Sequence, residues 1–211
     1  MAAISATTRT EGHREREAPA VLRRRFLAPT RNPGAAMPFS SRFAGNPMTS
    51  LDDLFLALLR EITFAERQFE KVLPRMALAA RNTDLRDAFG RQRDDASRRL
   101  ARLGEVFRLI GRRVRAETSD TILGLLQDCD ELLEAGSKPG AVHDARLVAF
   151  GQAAAHHQMS CYGTLLAWAE AMERQEIAAL LRKSLEEGRA ADRTLARLAA
   201  LTVNREARAA A

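Results

Sequence analysis

The chain has 211 residues, 46% of them apolar and only 5% aromatic, with a formal charge of +6. A chain of this length buries one good core, and so little aromatic and β-branched content favours helices over strands. No run of eighteen apolar residues occurs, so no membrane span is expected, and the two cysteines, Cys129 and Cys161, show neither CxxC nor zinc-type spacing. No disulfide framework follows, and a reducing cytoplasm is the plainest location.

Residues 1–47 hold eight arginines against three glutamates and therefore carry +5 of the net charge. They mix Arg, Ala, Pro, Gly, Ser and Thr without apolar periodicity, which predicts a disordered tail. Arg23-Arg24-Arg25-Phe26-Leu27 imitates a twin-arginine export signal, but Ala28-Pro29-Thr30-Arg31-Asn32-Pro33-Gly34 follows where an apolar stretch would be needed. A basic tail can grip phosphates. This one has no aromatic platform beyond Phe26, Phe39 and Phe43, so a nucleic-acid partner is not expected except through the tail itself. Met48-Thr49-Ser50 resembles a natural start, which makes an overextended reading frame the simpler account of the tail.

Ser50 and Asp53 have the spacing of a capping box ahead of an apolar run. Phe55, Leu58, Ile62, Glu66, Phe69 and Leu73 then recur at steps of three and four, predicting a first helix to about residue 81, with a kink or break at Pro74. Asn82-Thr83-Asp84 is a turn and cap. The second stripe runs through Leu85, Phe89, Gln92, Ala96, Leu103, Phe107 and Ile110 to Gly111, antiparallel to the first because the connection is short. Residues 112–138 break the pattern, with a short helix predicted from Thr118 to Glu134 and then Gly136-Ser137-Lys138-Pro139-Gly140. The third long stripe comprises Leu147, Phe150, Ala154, Gln158, Cys161, Leu165, Trp168 and Met172. After Glu173-Arg174-Gln175 the fourth comprises Ile177, Leu181, Leu185, Gly188, Asp192, Leu195 and Leu198. Residues 204–211 are expected to be a disordered C-terminal tail. Two hairpins joined by a long crossover make an all-α, ferritin-like four-helix bundle over residues 48–203.

Polar residues interrupt the inward faces. Glu66 occupies a core position, where an unpaired carboxylate is costly and requires a metal, a base or a shared proton. Gln92, Asp95 and Arg99 fall near the inner face of the second long helix, and His156, His157, Gln158 and Tyr162 on the third. The fourth carries Asp192, with Glu186 and Glu187 nearby. One carboxylate per helix meeting at mid-height is how a di-iron or di-manganese centre is built. No Glu-x-x-His pair stands at the expected places, however. His156 and His157 point about 100° apart, so at most one faces such a site.

The chain resembles the YciE/YciF-type ferritin-like proteins from Leu51 to about Ala199. The resemblance rests on Asp53-Leu54-Phe55-Leu56, Ala65-Glu66-Arg67-Gln68, Leu73-Pro74-Arg75-Met76-Ala77 and Arg102-Leu103-Gly104-Glu105-Val106-Phe107. It continues in Tyr162-Gly163-Thr164-Leu165-Leu166-Ala167-Trp168-Ala169-Glu170 and in Leu185-Glu186-Glu187 followed by Asp192. It implies a bacterial stress-associated bundle with a two-metal site. Glu66, Asp95, His156 and Asp192 stand at matching places and form the candidate metal set. Against the family pattern, Gln92-Arg93-Asp94-Asp95-Ala96 replaces His-Leu-Glu-Glu-Thr, Ala155 and Gln158 stand where glutamates belong, and Gly188 replaces an inward glutamate.

With the ligand set so reduced, one ion of iron or manganese, or none, is expected rather than two. If chemistry occurs, it is iron oxidation or peroxide handling at those four residues. The competing expectation is a non-catalytic, metal-free bundle in which Arg99 takes the cationic role, holding Asp95 and Glu66. No Ser-His-Asp arrangement or phosphate-binding glycine loop is legible. Apolar residues assigned to outer positions, Leu59, Phe64 and Leu166, predict a homodimer.

Overall fold

The computed structural model describes residues 48–134 and 140–210; the expected tail over residues 1–47, most of the glycine-rich linker after Glu134, and Ala211 lie outside them. Six α-helices occur among the described residues: α1 (Leu51–Ala79), α2 (Thr83–Leu109), α3 (Asp120–Glu134), α4 (Ala141–Ala171), α5 (Gln175–Leu198) and α6 (Asn204–Ala209). A single π-helical turn, Ala199–Val203, joins the last two. No strand is present among the described residues.

The helix ends follow from local chemistry. Ser50 caps α1 by accepting from the Asp53 N–H at 3.1 Å, while Asp53 returns a bond to the Ser50 N–H at 3.1 Å. The Ser50 hydroxyl holds the Asp53 carboxyl below its ordinary pKa. Asn82 caps α2 through Leu85 N at 3.1 Å.

The C-termini of α2 and α4 use the same device. Arg112 N reaches back to Phe107 O at 2.9 Å around Gly111, and Arg174 N reaches Ala169 O at 2.9 Å around Glu173. Both central residues are left-handed, at φ 66° and 57°, and only the first is a glycine.

Pro74 does not end α1. It lies on the exposed side, so the backbone bond it forgoes is on the solvent side, while its neighbours Leu73 and Met76 are anchored in the core. The C-terminal segment also differs from expectation. Helix continues to Ala209, because Val203 is buried and both the π turn and α6 pack on α4.

The hairpins α1–α2 and α4–α5 pack along their lengths, α1 lies against α4 and α2 against α5, and α3 in the crossover lies over α1 and α4. That is a ferritin-like four-helix bundle. The core runs through Phe55, Leu59, Ile62, Phe69, Phe89, Phe107, Leu147 and Leu165. Leu59, expected on the outside, is fully buried, one position away from the predicted Leu58. Helix α4 contacts α1, α3, α5 and α6, which explains why it is apolar on nearly every side.

The hairpins are also joined at one end. The buried Asp144 carboxylate of α4 accepts from the backbone N–H groups of Arg81 and Asn82, each at 2.9 Å. Asp144 thereby satisfies two donors of the α1–α2 turn, 63 and 62 residues away in sequence.

Candidate functional site

Glu66 is fully buried at mid-height of α1. Its Oε1 accepts three hydrogen bonds from two other helices: Arg99 Nε of α2 at 2.7 Å, Gln158 Nε2 of α4 at 3.1 Å and Tyr162 Oη of α4 at 3.0 Å. Its Oε2 has no hydrogen-bond partner among the described residues. Arg99 is itself buried, and its Nη1 lies 3.7 Å from Glu187 Oε2 of α5. Glu187 also receives Arg102, whose Nε donates to Ser184 Oγ at 3.0 Å. One polar network therefore crosses all four long helices.

Its electrostatics are those of a mutually held pair. Burial alone would depress the Arg99 pKa, but the Glu66 carboxylate outweighs it and raises the value further above an arginine's ordinary range. Burial, followed by the adjacent Glu66 charge, drives the Tyr162 phenol well above its usual pKa, so it stays a neutral donor. The Cys129 thiol, elsewhere in the core, is pushed up to about 11 by burial and is not a ready nucleophile.

Of the four candidate ligands, only Glu66 belongs to this centre. Asp95 does not face Arg99; it pairs with Arg98, three residues on, at the rim of the bundle. His156 and Asp192 do come together, Nε2 to Oδ1 at 3.1 Å, but the imidazole is 65% exposed, so this pair lies at the surface. His157 is half-buried and lies 3.5 Å from Cys161 Sγ, one turn on, and it makes no hydrogen bond to Glu66. Among the described residues, no three His, Cys, Asp or Glu side chains are grouped as a metal would require.

The chemistry of the centre also runs against a cation. Arg99, Gln158 and Tyr162 all aim donors at Glu66, whereas a metal needs lone pairs aimed at itself, and the guanidinium charge is already at contact distance. Where an inward glutamate would be expected, Gly188 packs so closely that an added Cβ would come within 3.3 Å of Met159. The residues present do not fit a dinuclear centre.

Sequence reading found Glu66, Gln158, Tyr162 and Arg99, but missed Glu187 as the second anion on Arg99. Its signal was a carboxylate next to the apolar Leu185–Gly188 face, masked by the adjacent Glu186.

Comparison with known proteins agrees with the architecture. Residues 50–208 match the family model described as "Domain of unknown function (DUF892)". Protein YciF of Escherichia coli (strain K12) is 30% identical over 161 residues, spanning 76% of this chain and 96% of that protein. The crystal structure of the E. coli stress protein YciF superposes with a TM-score of 0.70 at 30% identity, covering 74% of this chain and 99% of that one. YcfI of Rhodopseudomonas palustris gives 0.68 at 34% identity, covering 72% and 96%. On the match of nearly all its helical part, the chain belongs to the DUF892 family, that of YciF.

Proposed function

We propose that this protein is a non-catalytic, stress-associated helical-bundle protein of the YciF type, in which an internal ion pair takes the place of a metal centre. The observation that carries this reading is Arg99 Nε at 2.7 Å from Glu66 Oε1, with both side chains almost wholly buried. A guanidinium so placed supplies the positive charge that a buried carboxylate needs. The stress association rests on the relative called the E. coli stress protein YciF.

A cytoplasmic homodimer belongs to the same reading. No helix among the described residues is long and apolar enough to cross a membrane, and Phe64 and Leu166 remain half-buried on the single chain. Light scattering across a range of concentrations measures the assembly.

The deciding experiment is elemental analysis of the full chain and of Glu66→Ala after loading with Fe(II) or Mn(II). The expected result is a folded protein without stoichiometric metal. One or two ions per chain, lost in Glu66→Ala, would overturn the reading and restore iron or peroxide chemistry at Glu66, Asp95, His156 and Asp192.

A further inference from the structure

The last fifth of the chain carries an arginine row that the central network does not use. Between Arg189 and Arg208 there are five arginines, Arg189, Arg193, Arg197, Arg205 and Arg208, against two carboxylates, Asp192 and Glu206. All five arginines are exposed. Asp192 is committed to His156. None of the five takes part in an ion pair among the described residues, and neither does the exposed Glu186, three residues before Arg189. Arg75, Arg93, Arg98, Arg108, Arg174 and Arg182 each have a carboxylate partner. Other exposed arginines without one, among them Arg67, Arg91, Arg112, Arg113 and Arg146, are spread over other elements.

The geometry is regular. Arg189, Arg193 and Arg197 follow one another at four-residue steps and so share one side of α5, each step rising about 6 Å. Arg205 and Arg208 continue the charge beyond the π turn on α6. Like charges at four-residue spacing oppose one another within an isolated helix by a few tenths of a kcal/mol. A row that repels itself and lacks internal partners is matched by a ligand bearing repeated negative charges.

We propose that this face of α5 and α6 binds the phosphate backbone of a nucleic acid without reading its sequence. Two other polyanionic partners fit less well. An interfacial membrane helix inserts its apolar side, but the apolar side of α5, with Leu181, Leu185 and Leu195, is buried in the bundle core. A protein interface is anchored by aromatic or aliphatic residues in pockets. The three arginines on α5 are instead separated by Ala190, Ala191, Asp192, Thr194, the buried Leu195 and Ala196, and the one large exposed apolar side chain of the segment is Leu201 in the π turn. Phosphate contacts require only spaced, unpaired cations.

The test is fluorescence anisotropy of a short labelled duplex of mixed sequence with the full chain, titrated across salt concentrations. The comparison set is Arg189→Gln/Arg193→Gln/Arg197→Gln, a tail variant Arg23→Gln/Arg24→Gln/Arg25→Gln, and a control Arg75→Gln/Arg108→Gln that removes paired arginines. Circular dichroism verifies that each variant is folded; the substituted side chains on α5 are exposed, so the fold should be retained. The proposal expects at least a tenfold weaker Kd for the α5 variant at low salt. It also expects a log K against log salt slope shallower by between about two and three, near-native binding by the control, and a smaller loss from the tail variant. Native affinity of the α5 variant with loss in the tail variant would overturn it. So would equal losses in the α5 variant and the control, absence of duplex binding by the wild type, or a preference for phosphatidylserine vesicles over duplex.

Discussion

Arg99 and Glu66 meet in the middle of the bundle from adjacent antiparallel helices, 33 residues apart in sequence, with 3% and 0% of their side chains exposed. A buried pair of this kind is weak evidence for net stability, but each half is expensive without the other.

Arg99→Met should therefore destabilise the bundle by about 3–5 kcal/mol in urea unfolding, because it leaves the buried Glu66 carboxyl without its cationic partner. Glu66→Leu/Arg99→Met should cost far less than the sum of the two single changes. Additive single-variant costs would show that the two residues do not act as a pair.

Tyr162 is the only tyrosine of the chain, so the alkaline phenolate absorbance reports it alone. Its folded pKa is raised above the unfolded value. The stability this contributes is fully present below the unfolded pKa of about 10 and falls as pH rises above it. Phenolate absorbance should appear together with loss of helical circular dichroism, and Tyr162→Phe should remove this part of the alkaline dependence. A phenolate titrating near its ordinary value in the folded protein would refute the buried hydrogen bond to Glu66.

Glu173 holds a left-handed conformation that Gly111 holds at the end of α2 without a Cβ. Glu173→Gly should raise stability, or leave it unchanged, within about 1 kcal/mol, the glycine's extra chain entropy offsetting part of the relieved strain. Gly111→Ala should lower it by about 1 kcal/mol. Paired thermal melts measure both, and a clear loss in Glu173→Gly would show that its side chain does more than end a helix.

Asp144→Ala removes the acceptor of two backbone N–H groups at the α1–α2 turn. A loss of about 1–3 kcal/mol is expected in chemical unfolding, since each hydrogen bond contributes about 0.5–1.5 kcal/mol net, more to a charged group, and water reaching the part-buried turn recovers some of it. A change below about 0.5 kcal/mol would mean that solvent already serves the turn.

The long helices were legible because apolar residues at steps of three and four record which side of each helix faces the core. Glu66 was legible for the same reason, as a charge in the middle of an apolar stripe. The partner of Asp95 was not. Arg98 and Arg99 lie one residue apart, so about 100° of helix rotation decides which reaches a neighbouring carboxylate. Asp95 took the surface arginine, and Arg99 turned to Glu66 and Glu187. The pairing of His156 with Asp192 was likewise hidden, because α4 is apolar on so many sides that its pattern names no single inward face. Asp144 had no signal in one dimension: its partners are backbone groups, which every residue but proline carries.

The turn that Asp144 completes does not belong to its own hairpin. Residues 48–111 taken alone would leave the Arg81 and Asn82 amides open to water. Hydrogen exchange at those two amides thus times the arrival of α4 rather than the closing of the local turn. During refolding they should gain protection late, together with amides of the second hairpin, and they serve as a built-in clock for the joining of the two halves.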